Sequence, residues 1–229
     1  MTKTSIPACL TALALAALTA GSANAASISV ADAGFEDTGS VTIKTAGDAW
    51  ADVAAWTGLT PIDDDSGITN EVKRTGSFAG KMNSSAGGGG FYQLTDHTIT
   101  IGETFTLTFY ASTTWDGQDT RFGYSLIYGN TSQVLATDDF VWDRATQGNL
   151  TGIFQEVTLT GTATAAMDGT KVGIMFEPEA GGSFPVIDDV SLTVIPESST
   201  ALLGGIGALL FLRRRFRTSP RLKHRRKST

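Results

Sequence analysis

Apolar and polar residues alternate with a period of two through the middle of this chain. Across residues 104–111, Phe105, Leu107 and Phe109 recur at every second position, and Tyr110 falls on the opposite side. That is the pattern of a strand with one face buried. Residues 121–128 place Phe122, Tyr124, Leu126 and Tyr128 on one face, and residues 171–177 do the same with Val172, Ile174 and Phe176. Residues 186–194 group Val186, Val190, Leu192 and Val194, and residues 154–159 follow the pattern less regularly. Shorter strands are predicted near 28–30, 78–82, 91–94 and 98–101, with turns at Gly87 to Gly90, Asp116-Gly117 and Gly129-Asn130. No helical period and no long internal repeat competes with this reading. Many short strands separated by turns predict an all-β sandwich over residues 26–194, one ordinary domain length.

The two ends depart from this pattern. Lys3, the apolar run 6–20 and Ala23-Asn24-Ala25 have the order of a secretory signal peptide, cut after Ala25. Cys9, the only cysteine, lies in that leader, so no disulfide is available to the exported part. At the other end, residues 201–212 are apolar and uncharged, and Arg213-Arg214-Arg215 follow. As a helix this run spans roughly 18 Å. A bilayer core is about 30 Å thick, so it is a short transmembrane helix helped by snorkelling arginines. The basic residues 218–229 belong on the cytoplasmic side. Such a tail is either a removable sorting signal or an anchor that is never cut.

Charge sharpens the division. Of 17 Lys and Arg, Lys3 lies in the leader and nine lie beyond Leu212, which leaves seven against 23 acids in the exported part. So acidic a surface excludes nucleic acid as a partner and suits a solvated extracellular face or calcium.

Two resemblances follow from particular residues. Val194-Ile195-Pro196-Glu197-Ser198-Ser199-Thr200, the short apolar run and the arginine cluster together resemble the bacterial PEP-CTERM sorting signal (here over residues 195–217). Ser198 stands where that family has a second proline. The resemblance implies processing by an exosortase and delivery to the cell surface or extracellular matrix, with Pro196, Glu197, Arg213, Arg214 and Arg215 as the sorting residues. Asp32-Ala33-Gly34-Phe35-Glu36, Trp56 and Ile187-Asp188-Asp189-Val190 resemble the opening and closing segments of galactose-binding-like jelly rolls, which include carbohydrate-binding modules. This implies a jelly-roll β-sandwich with a structural calcium ion held by Glu36 and Asp188, with Asp189 or Asp32 as further ligands.

The closing strand points to the same residue on physical grounds. A period of two places Asp188 on the face of Val186, Val190 and Leu192, where a carboxylate needs a cation, hydrogen bonds to loop amides, or a β-bulge that turns it away. The Asp63-Asp64-Asp65 cluster lacks EF-hand spacing and reads as a solvated loop. Exposed aromatics beside polar groups suit sugar rings, and Trp115, Trp142, Tyr110 and Arg144 are the candidates, with Trp50 a further tryptophan. The alternative for each tryptophan is a loop anchored on the core. His97 has no nucleophile motif around it, and no phosphate-binding loop occurs. The expected function is an exported, non-catalytic polysaccharide-binding protein; a purely structural matrix protein and a glycoside hydrolase are the other readings.

Overall fold

A computed structural model describes residues 24–38, 55–59, 66–83, 89–115, 117–179 and 184–197. The leader up to residue 23, Trp50, Asp63 to Asp65, the apolar run 201–212 and Arg213 to Arg215 lie outside the described residues. So do the signal helix and the transmembrane helix expected there. Among the described residues, no helix is long and apolar enough to cross a membrane.

The strands in chain order are β1 (Ala26–Ile28), β2 (Thr57–Gly58), β3 (Gly67–Thr69), β4 (Ala79–Lys81), β5 (Phe91–Thr98), β6 (Thr104–Thr113), β7 (Thr120–Tyr128), β8 (Asn130–Trp142), β9 (Gln155–Thr162), β10 (Lys171–Pro178) and β11 (Pro185–Ile195). One short helix, α1 (Arg144–Gln147), follows β8. The first sheet runs β3-β4-β11-β6-β9, with β1 also on β11; the second runs β2-β5-β10-β7-β8. Every pairing is antiparallel. Two such sheets around one core make a β-sandwich of jelly-roll type.

The inward periods are those the sequence shows on β6, β7 and β10. Phe105, Leu107, Phe109, Phe122, Leu126, Val172, Ile174 and Phe176 are all fully buried. Aromatic rings dominate the centre. Phe109 meets Phe176 edge-on with centroids 5.0 Å apart, Phe176 lies 5.0 Å from Phe91, and Phe91 stands edge-on to Trp56 at 5.2 Å. Edge-to-face and offset contacts of this kind stabilise beyond the area they bury. Phe35 stacks on Trp56 at 5.2 Å despite a positive φ of 58°. An aromatic residue in that backbone region is strained, and its burial between Trp56 and Phe91 offsets the cost.

Two expectations need correction. Residues 130–142 form the 13-residue strand β8, whereas the sequence pattern predicts only a turn at Gly129-Asn130 and no strand there. This edge strand is largely exposed on both faces, so it carries no clean alternation. Gly129, with φ of 67°, makes the tight connection from β7. The second correction concerns β11. Ile187 pairs with Ala111 and Leu192 with Leu107, but the register shifts between Asp188 and Ser191. Asp189 takes φ of 50° inside this bulge. The shift reverses the side-chain parity. Val190, Leu192 and Val194 face the core, while Val186 and Asp188 share the outer side with Tyr110, which pairs with Asp188.

The outer face of the first sheet is rich in hydroxyls. Thr104, Thr106 and Thr108 lie opposite Thr162, Thr160 and Thr158 on β9. Thr106 and Thr108 also face Thr193 and Ser191 on β11.

Candidate functional site

The four carboxylates expected to hold calcium do gather, but around backbone amides. Asp188 Oδ2 accepts the N–H groups of Arg74 and Thr75 at 2.8 and 3.2 Å, and its Oδ1 accepts that of Asp189 at 2.8 Å. Glu36 Oε1 accepts the N–H groups of Ser77 and Phe78 at 2.8 and 3.0 Å. Asp189 is bonded to the Arg74 guanidinium and to the Thr75 hydroxyl. Asp32 Oδ1 takes the amides of Glu36 and Asp37 at 2.6 and 3.0 Å. The opening turn joins this cluster directly, because Val190 donates to the Ala33 carbonyl at 2.9 Å. Gly76, with φ of 59°, has no room for a side chain because Glu36 lies where its Cβ would be.

A calcium ion takes six to eight oxygens. Here most of the carboxylate oxygens accept N–H, hydroxyl or guanidinium donors. Asp32 Oδ2 is buried with no hydrogen-bond partner, and one such oxygen is not a cage. Among the described residues, no group of three acidic, histidine or cysteine side chains is arranged to hold a metal ion. The donor set therefore fits the hydrogen-bonded alternative, a clasp that fastens residues 74–78 to both ends of the domain. Burial pushes the Asp188 and Asp32 carboxyls above their ordinary range, while the amide hydrogen bonds pull them back.

The sequence-predicted sugar contacts separate into two places. Tyr110 sits beside the clasp on the outer face of the first sheet. The Arg74 guanidinium lies 3.5 Å over its ring, and its hydroxyl donates to Glu156 at 2.6 Å. That ring face is covered by Arg74, so it is not an open platform. Trp115, Trp142 and Arg144 lie at the end of the sandwich where β6 passes to β7 and β8 ends. Asp119 ties this end together, accepting the Arg144 N–H at 3.1 Å and the Arg121 guanidinium at 3.0 Å. Trp142 ends β8 opposite Thr120, and its indole donates to the Gly148 carbonyl at 2.9 Å. It anchors the segment carrying α1, whose N-cap is Asp143. Trp115 is 46 % exposed, folds back over Gly117 and lies 6.3 Å from the Phe184 ring. Trp115 is thus the more open of the two tryptophans.

The register also assembles a surface that sequence reasoning missed, on the outer face of the second sheet. One row crosses it as Thr57, Tyr92, Met175, Ser125 and Thr137. A neighbouring row reads Glu177, Gly123 and Asp139. Arg121 and Val141 come next, toward the end that holds Asp119 and Arg144. Gly123 leaves a gap between the two carboxylates, and Asp139 Oδ1 stands 3.4 Å from where a Cβ on Gly123 would be. Ser125 donates to the Thr137 hydroxyl at 2.9 Å. Tyr92 is half-buried, Met175 and Ser125 are buried beneath the row, and Glu177, Asp139 and Arg121 are exposed. This patch, with a glycine between two acids, a guanidinium and hydroxyls near them and a half-buried tyrosine in the neighbouring row, can hydrogen-bond a polyhydroxylated chain and pack against its ring faces. The signal for it was present in the positions alternating with the core residues, but only the strand pairing brings them together.

No protein-family model matches this chain, and no curated protein does. Solved structures are similar. A cyclase from Fischerella sp. TAU is 20% identical, with a TM-score of 0.58, over 77% of this chain and 100% of that one. The arabinose-bound α-L-arabinofuranosidase MgGH51 is 18% identical, with a TM-score of 0.51, over 74% of this chain and 26% of that one. A CBM4 structure matches at 15% identity and a TM-score of 0.46, over 72% of this chain and 99% of that one. At these identities the likeness to the cyclase and to the arabinofuranosidase concerns the fold alone, the β-sandwich described above.

Proposed function

We propose that this chain is an exported bacterial surface or matrix protein whose galactose-binding-like sandwich binds polysaccharide without cleaving it. In this reading a signal peptide exports it. A PEP-CTERM-like tail, recognised by an exosortase, holds it to the membrane and then sorts it to the surface or matrix. The observation that carries the binding function is the Glu177–Gly123–Asp139 row, with Arg121 and Tyr92 beside it. Calcium stays outside this reading, because most of the clasp oxygens accept donors of residues 74–78 and of the opening and closing segments.

One observation favours a second reading. Glu177 and Asp139 flank Gly123 on strands two apart, roughly 10 Å at the backbone. An inverting glycoside hydrolase uses two carboxyls about 6.5–9.5 Å apart. Incubation of the full chain with a panel of soluble polysaccharides separates the two readings. Retarded migration in affinity electrophoresis without new reducing ends supports binding. Release of oligosaccharides that stops in Glu177→Gln supports hydrolysis, and neither result on any polysaccharide overturns both.

A further inference from the structure

The sandwich leaves no spacer before the sorting motif. Ile195 still pairs with Thr104 on β6, and Pro196 and Glu197 follow at once. The turn between β5 and β6 lies beside them. Its Gly102 has φ of 84° and donates to the Ala163 carbonyl at 3.0 Å. A Cβ on Gly102 would stand 2.5 Å from Glu197 Oε2 and 2.9 Å from Glu197 Cβ. The Glu197 side chain therefore lies along the bare Cα of Gly102, in van der Waals reach of the turn while remaining exposed to solvent. Ile101, 46% exposed, precedes Gly102, and Ile195, 41% exposed, lies two residues before Glu197.

A processing protease reads its substrate as an extended segment and needs backbone clear on both sides of the motif. Here one side is the last rung of the β6–β11 ladder and the motif glutamate is seated on the domain. We propose that Gly102 is a docking notch for Glu197, which holds the Pro196-Glu197 motif against the folded sandwich and slows its capture by the processing protease. Only the undocked fraction is available, so the rate of processing scales with that fraction. The inference rests on the sorting reading of the tail.

Two variants test it. Gly102→Asn keeps a residue that tolerates positive φ but places a side chain where Glu197 sits. A six-residue Gly/Ser insertion after Ile195 leaves Gly102 untouched and frees the motif. The detergent-solubilised full chain is treated with a glutamyl endopeptidase, and mass spectrometry follows release of the 198–229 fragment. The precursor-to-product ratio is followed in parallel in cells. The expected result is several-fold faster cleavage after Glu197 and several-fold faster conversion in cells for both variants. Cleavage after Glu197 at the wild-type rate in both variants overturns the notch, whatever happens in cells. Faster cleavage in the test tube with no conversion of any version in cells overturns the role in processing, and with it the sorting reading. The insertion reports even if Gly102→Asn fails to fold.

Discussion

The Asp188 carboxylate takes the backbone N–H of Arg74 at 2.8 Å across the bulge of the last strand. With Thr75 and Asp189 it satisfies three amides, and it is fully buried. Removing it leaves buried donors unmatched, the costly direction of losing a hydrogen bond. Asp188→Ala should lower stability by about 3 kcal/mol, read from denaturant midpoints. A loss below about 0.5 kcal/mol would show that water replaces the carboxylate and that the clasp is not structural.

The same clasp bears on calcium. Since most of its oxygens are engaged by hydrogen-bond donors, a chelator should leave the melting temperature of the purified protein unchanged. Added calcium should do the same. A clear rise with calcium, reversed by chelator, would mean that the ion displaces the amides of residues 74–78 and binds the folded state.

Tyr124 sets an alkaline limit. Its ring lies 5.1 Å from Phe109, and its hydroxyl reaches Asp138 at 3.4 Å. Burial, with Asp138 beside it, pushes the phenol up to about 12. The folded state thus holds this proton more tightly than the unfolded chain does. Its contribution is complete below pH of about 10, where a free tyrosine titrates, and is lost as pH rises toward about 12. Stability should fall across that window, and Tyr124→Phe should flatten the fall. A residual slope is expected from Tyr110, whose phenol is raised by its bond to Glu156. Identical alkaline profiles for wild type and Tyr124→Phe would contradict the assignment.

The two end tryptophans should behave differently. Trp142→Ala removes an indole bonded to the Gly148 carbonyl and should lower the melting temperature by several degrees. Trp115→Ala touches an exposed ring, should leave the melting temperature nearly unchanged, and should weaken polysaccharide retention. Equal destabilisation by both would show that Trp115 too is only a loop anchor.

Much of the fold was legible because burial and strand period coincide on β6, β7 and β10. Phe105, Phe122 and Ile174 needed only a count of two. The meeting of the opening and closing segments was also legible, and Val190 does bond to Ala33. Asp188 was legible only as a choice between a cation, loop amides and a bulge, because a single inserted residue reverses parity and the residue types do not say which applies. β8 escaped because an exposed edge strand has no apolar face to display. The patch around Gly123 escaped for another reason. Gly123, Asp139 and Glu177 come from three strands, and their adjacency exists only in the pairing. Tyr110 was read correctly as pointing away from the core, but the Arg74 that covers its ring lies 36 positions earlier. Periodicity along one strand cannot reveal such a partner.

The most direct test fills the gap at Gly123. Gly123→Leu places a side chain between Glu177 and Asp139 on an outward-facing strand position, its Cβ 3.4 Å from Asp139 Oδ1. Thr106→Ala, on the outer face of the other sheet, serves as the control. The measurement is affinity electrophoresis of the full chain against the polysaccharide that retards it most. Retardation abolished in Gly123→Leu and kept in Thr106→Ala, with both variants melting as wild type, is the predicted result. Equal retardation of all three proteins would contradict it, because the polysaccharide would then be held somewhere other than this face.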